Sequence, residues 1–165
     1  MKIYVVRHGI AVEGLVRGIS RDSERPLTDE GVAETEMVAR ALKKMAIKPD
    51  LIVASPLVRT QQTAKIIHAQ LGGEFATSDT LAPGITIASV YKFLKKFEKA
   101  HDIFLVGHEP DVGEIVKDIV GGGFEFTLPF AKAGVCCVET SDLPATMPGT
   151  MKWLITPNVF KLLTE

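Results

Sequence analysis

Three short apolar runs constrain this chain more than any other feature. They lie at residues 2–6, at Leu51-Ile52-Val53-Ala54 and at Ile103-Phe104-Leu105-Val106. Each is too short for a core helix and rich in residues that suit a pleated sheet. Between them, apolar residues recur at helical spacing. Strands that alternate with helices point to a parallel sheet covered on its faces. Each run also ends directly on a polar group: Arg7-His8, then Ser55, then Gly107-His108. In open α/β sheets, that C-terminal edge is where ligands bind.

The helical segments carry start and stop signals. Thr28 reads as an N-cap, with Asp29 and Glu30 in the first turn, where the helix dipole favours acids. Val38, Ala41, Leu42 and Met45 then share one face, and Pro49-Asp50 ends the segment. Ser55-Pro56 reads as an N-cap followed by proline at the first helical position. Thr60, Ala64, Ile67 and Leu71 mark the face of that helix, and Gly72-Gly73 stops it. A brief strand is expected near Phe75. A third helix is marked by Ile87, Val90, Tyr91 and Leu94. A fourth is marked by Val112, Ile115, Val116 and Ile119 and stopped by Gly121-Gly122-Gly123. Ala133–Thr140 and Met151–Thr156 read as strands forming an antiparallel edge. The expectation is a three-layer α/β/α sandwich over residues 1–165, one domain with a mainly parallel sheet.

Composition narrows the function classes. Nineteen Lys and Arg face twenty Asp and Glu, so no basic excess suggests a nucleic-acid partner. No apolar run approaches the ~20 residues of a membrane span. Met1–Val6 is too short for a signal-peptide core, so no export is expected. The two cysteines, Cys136 and Cys137, are adjacent, and on a strand they point to opposite faces. No disulfide and no zinc site are expected, and the setting is read as reducing and cytoplasmic.

The three strand ends can bring Arg7, His8, Arg59 and His108 to one point. Two arginines and two histidines around one point make an oxyanion site. Phosphoryl transfer spreads charge over three equatorial oxygens, which fixed cations stabilise. A neutral imidazole there can act as a nucleophile.

The same residues carry a family resemblance. Arg7-His8-Gly9, Ser55-Pro56-x-x-Arg59-Thr60-x-x-Thr63-Ala64 and Gly107-His108 resemble the histidine phosphatase superfamily, which includes phosphoglycerate mutases. Asp22-Ser23-Glu24-Arg25-Pro26-Leu27-Thr28-Asp29-Glu30-Gly31 and Val106-Gly107-His108-Glu109-Pro110 resemble its short SixA-type phosphohistidine phosphatases. The resemblance implies a phosphoglycerate mutase-like fold and metal-independent hydrolysis without a cofactor. It implies that His8 attacks phosphorus and carries the phosphoryl group. Arg7, Arg59 and His108 would bind the phosphoryl oxygens, His108 in a protonated form, and Arg25 would hold the substrate phosphate at the mouth. His8 must be neutral, and nearby arginines lower an imidazole's pKa. Its Nδ1–H would find an acceptor in a backbone carbonyl.

One loop departs from the family. Where SixA-like sequences often carry Glu-Leu-x-Pro, this chain reads Thr80-Leu81-Ala82-Pro83. The general acid is therefore open: Asp79, Glu109 or Asp22, or none. A phosphohistidine substrate, whose imidazole leaves more easily than an alkoxide, fits a missing acid. The implied partner is a phosphoprotein, such as a histidine-phosphorylated signalling domain. A small-molecule phosphomonoesterase acting on a sugar phosphate or nucleotide is the alternative, and a non-catalytic phosphate-binding module a third. Asp22 reads equally as a turn-former, and Arg25 as a surface ion-pair partner of Glu24 or Asp22. His68, His101 and the run Lys92, Lys95, Lys96, Lys99 read as solvated, and Trp153 as packing.

Overall fold

The computed structural model describes residues 1–14, 18–97, 99–121 and 126–164. Six strands form one mixed sheet: β1 (Lys2–Arg7), β2 (Leu51–Ala54), β3 (Glu74–Thr77), β4 (Asp102–Gly107), β5 (Val135–Glu139) and β6 (Thr150–Ile155). Their order is β3-β2-β4-β1-β5-β6. β1, β4, β2 and β3 pair in parallel; β5 pairs antiparallel with β1, and β6 antiparallel with β5. The anticipated architecture, mainly parallel with an antiparallel edge, is the one observed.

The sheet is covered on both faces, which is why its central strands are apolar throughout. Alternate residues enter different cores. Ile3, Val5, Leu51, Val53, Ile103 and Leu105 pack on one side under α3 (Ile87–Leu94) and α4 (Asp111–Val120). Tyr4, Val6, Ile52, Ala54, Phe104 and Val106 pack on the other. That second face is covered by α1 (Asp29–Lys44), α2 (Val58–Leu71) and α5 (Pro157–Leu162). Cys136 and Cys137 obey the same rule: both are free and buried, one in each core.

Thr28 caps α1 by accepting a hydrogen bond from Gly31 N at 3.0 Å. Val38, Ala41 and Leu42 are buried as expected, but Met45 is not: it is the C-cap of α1 and 36% exposed. Helical phase carries no information past the last turn. Ser55-Pro56 does not begin α2. The helix opens at Val58 with Leu57 at its N-cap, and both Ser55 and Pro56 lie in the preceding loop. Gly72, at φ 76°, ends it. Gly121 is the C-cap of α4; Gly122 and Gly123 lie outside the described residues.

The sequence reading omitted α5. Its six residues are too few to show a period, yet its Phe160 is fully buried against Trp153. Trp153 also meets Tyr4, which stacks on Phe104 with ring centroids 4.5 Å apart. Lys92, Lys95, Lys96 and Lys99 are exposed, but only Lys92 is in α3, because that helix gives way to a 3-10 turn at Lys95–Phe97. His101 is exposed, whereas His68 is half-buried edge-on to Phe75. No helix among the described residues is long and apolar enough to cross a membrane.

Candidate active site

β2, β4 and β1 are neighbours, so their C-terminal ends form one edge. Arg7 lies beside Gly107, and Ala54 beside Val106. The backbone pairing continues past the strands: His8 N donates to Gly107 O, and Ser55 N to Val106 O, both at 3.1 Å. The parallel register thus delivers His8, Ser55 and His108 together. The imidazole centroids of His8 and His108 are 5.3 Å apart.

His8 is buried at 8% exposure. Its Nδ1 lies 2.7 Å from the Gly9 carbonyl. A carbonyl can only accept, so Nδ1 carries the proton and Nε2 keeps its lone pair. Gly9 is itself held by Thr63 Oγ1, which accepts from Gly9 N at 3.0 Å. A side chain at position 9 would put its Cβ 2.6 Å from Thr35 Oγ1, which explains the glycine after the histidine.

Arg59 enters from the first turn of α2. Its NH1 donates to the Asp22 carbonyl at 2.8 Å, and its NH2 to Asp22 Oδ2 at 3.0 Å. The same NH2 approaches His108 Nδ1 at 3.3 Å. Guanidinium has no lone pair to offer, so Nδ1 is the acceptor and His108 Nε2 bears the proton. That proton is donated to Ser55 Oγ at 2.9 Å. Arg7 NH1 donates to the Phe130 carbonyl at 2.5 Å. Arg25, at the rim, donates from Nε to Asp22 Oδ1 and from NH1 to the Val12 carbonyl.

These groups line one hollow of about 360 Å³, together with Glu13, Glu109 and Lys132. Arg7 Nε and Arg59 Nε are buried there without a hydrogen-bond partner among the described residues. Buried donors of this kind are costly unless an acceptor satisfies them. Four cationic side chains, two idle guanidinium donors and an imidazole lone pair suit a tetrahedral oxyanion. Of three larger hollows, two of about 620 and 580 Å³ lie at the opposite end of the strands around Lys95 and Phe97, with no arginine among their described lining residues, and one of about 430 Å³ adjoins the site, sharing Glu13, Asp22 and Arg25 with it. Among the described residues, no group of three or more His, Cys, Asp or Glu is placed to hold a metal ion.

The profile of the histidine phosphatase superfamily (branch 1) matches residues 3–82. The phosphohistidine phosphatase SixA of Escherichia coli (strain K12) is 25% identical over 166 residues, 98% of each chain. The chain belongs to the histidine phosphatase superfamily. An uncharacterized protein of Picosynechococcus is 36% identical over 138 residues, 82% of each chain. The structure of the protein histidine phosphatase SixA complexed with tungstate matches 98% of this chain and 100% of that one, with a TM-score of 0.85 and 25% identity. Family membership and this likeness support phosphatase activity.

Within this hollow, the protonation states follow from burial. Burial comes first in lowering His8 to a pKa of about 4; the charges of Arg59, Arg7 and Lys132 add to it, against the Gly9 hydrogen bond. The arginines alone are therefore a lesser cause than the sequence suggested. Burial, then Arg59 and His8, lowers His108 to about 3. His108 is neutral here, which corrects the expected imidazolium: a ring that accepts from Arg59 cannot also hold a proton on that nitrogen.

The three acid candidates separate. Asp79 is exposed in a 3-10 turn and does not line the hollow. Asp22 lines it, but is held ionised. Partial burial pushes its carboxyl up, and the hydrogen bonds and charges of Arg59 and Arg25 outweigh that, keeping it below the usual range. The Glu109 carboxyl is raised, by burial against the opposing pull of Arg7, and its Oε2 has no partner among the described residues. Asp22 proves to be both turn-former and pocket residue, and Arg25 pairs with Asp22 rather than Glu24, whose carboxylate caps Ser20 and Arg21. The sequence reading missed Ser55, Lys132 and Glu13. Ser55 was read as a helix cap. Lys132 and Glu13 lie in loops, where no periodicity marks them.

Proposed function

We propose that the chain hydrolyses phosphohistidine on a protein through a phospho-His8 intermediate, without a metal. The observation that carries this reading is the His8 ring: its Nδ1 proton is fixed on Gly9, which leaves a neutral Nε2 in a hollow that Arg7 and Arg59 also line, each with a buried Nε unpartnered among the described residues. In the first step, the Nε2 lone pair forms a bond to phosphorus. The P–N bond to the substrate breaks, and its electron pair returns to the departing imidazole nitrogen. Arg7, Arg59 and Lys132 hold the equatorial oxygens, and His108 is positioned by Ser55 beside them. Water then attacks phosphorus, the P–Nε2 bond breaks, and phosphate departs with the water's oxygen. The likeness to SixA, whose structure is complexed with a tetrahedral oxyanion, supports the reading.

Glu109 favours a second reading. A carboxyl raised by burial in the pocket is suited to protonate an alkoxide, as a phosphomonoesterase needs. The two are separated by presenting the protein with a histidine-phosphorylated protein and with p-nitrophenyl phosphate or a sugar phosphate. The expected result is higher kcat/KM on phosphohistidine, with Glu109→Gln leaving that rate within about twofold. Rapid ester turnover with phosphohistidine untouched would overturn the first reading. In either case His8→Ala should remove turnover by on the order of 10⁴-fold or more while far-UV circular dichroism is retained.

A further inference from the structure

We propose that Asp22 selects the leaving group, favouring a nitrogen base that carries a proton over a neutral or anionic oxygen. This rests on the phosphohistidine reading and adds to it the residue that would set that preference.

His8 forms the buried floor of the hollow, whereas the Asp22 side chain is 62% exposed at its mouth. In an in-line displacement, the group that leaves departs opposite the group that attacks. A leaving group therefore passes outward to the rim of the hollow, where the Asp22 carboxylate is exposed. The carboxylate there is anchored: Oδ1 accepts from Arg25 Nε at 2.8 Å and Oδ2 from Arg59 NH2 at 3.0 Å. A carboxylate has about four acceptor positions, so two pairings leave room for a further donor.

Chemistry then says which donor. Transfer between two imidazoles is nearly symmetric, and each ring needs a proton on its distal nitrogen. On the enzyme side, Gly9 O holds that proton on Nδ1 of His8. On the substrate side, a phosphohistidine protonated on its unphosphorylated nitrogen leaves as neutral imidazole. The P–N electron pair goes to the nitrogen losing phosphorus, and the distal proton stays where it is, so no external acid is consumed. An anionic carboxylate that accepts from this N–H stabilises the protonated, labile form. An ester oxygen offers no such proton. A carboxylate-bearing sugar phosphate or a nucleotide brings further negative charge toward Asp22 and is repelled.

The test uses the intact protein, with Asp22→Asn removing the charge while keeping an acceptor oxygen for an arginine. Steady-state rates are measured on a phosphohistidine peptide and on p-nitrophenyl phosphate. The wild-type rate on the peptide tests the reading beneath the proposal. The ratio of variant to wild type tests Asp22. The expected result is a fall of about tenfold or more in kcat/KM on the peptide with a rise on the aryl ester. Asp22→Glu, which keeps the charge, should retain the wild-type order of preference and stands in if Asp22→Asn does not fold. An equal fall on both substrates would reduce Asp22 to a support for Arg59 and overturn the proposal, even with phosphohistidine activity intact.

Discussion

At the scale of single residues, the site works by removing alternatives. His8 has one tautomer because Gly9 offers only an acceptor, and His108 has the opposite one because Arg59 offers only donors. Ser55 completes the second arrangement by taking the His108 Nε2 proton. Ser55→Ala should therefore leave His108 free to turn away from Arg59. The expected outcome is a fall in kcat/KM of about tenfold, the scale of one lost buried hydrogen bond. Steady-state kinetics on the preferred substrate checks it, and a rate equal to wild type would mean that Arg59 alone orients the ring. Arg7, His8 and His108 were legible in the sequence because they stand at strand ends, and Arg59 because it belongs to the run that follows the second strand. Ser55 was legible as a residue but not as a role: a serine before a proline signals a cap, and only the fold brings it to His108.

At the scale of elements, glycines decide how closely helices approach the site. Gly31 lies in the first turn of α1 against the backbone of the loop that follows His8. A Cβ there would fall 2.0 Å from the Ile10 carbonyl oxygen. That carbonyl also accepts from Thr28 N at 2.9 Å, so the contact ties the helix cap to the loop. Gly31→Ala forces the two apart. A loss of about 2–4 kcal/mol is expected, at the scale of a strained, overpacked contact. Urea unfolding measures it, and a neutral substitution would show that α1 can shift freely. α1 was legible at its N-cap, Thr28, though not at Met45, whereas α5 was not foreseen. Long amphipathic helices write their burial into sequence period. A six-residue helix anchored by one phenylalanine does not.

At the scale of the molecule, burying two neutral histidines links stability to pH. His8 and His108 titrate near 4 and 3 in the folded chain, against 6.5 when exposed. Between those values the unfolded chain binds protons that the folded chain refuses. Stability from these groups is therefore complete above about pH 6.5 and is lost as pH falls toward about 4 for His8 and about 3 for His108. The slope is up to ~1.4 kcal/mol per pH unit for each ring. Glu34 and Glu109, whose carboxyls burial raises, act in the opposite sense. Urea midpoints at pH 7 and pH 5 should show the wild type weaker at pH 5, and His108→Gln should narrow the difference. A midpoint independent of pH across that range would contradict the buried neutral rings.

The layers and the strand ends could be read from the order of residues alone, because period and chain direction are local properties. A short continuous apolar run between helical segments reads as a buried strand, and parallel neighbours present their C-terminal ends together. The pairing of charges was decided only by tertiary structure. Asp22 is 37 residues from Arg59, and Ser55 is 53 from His108. No local pattern records which carboxylate meets which guanidinium, or which imidazole loses its proton to burial. Those depend on distances and on water excluded by the assembled sheet edge, and they exist only once the chain has closed around it.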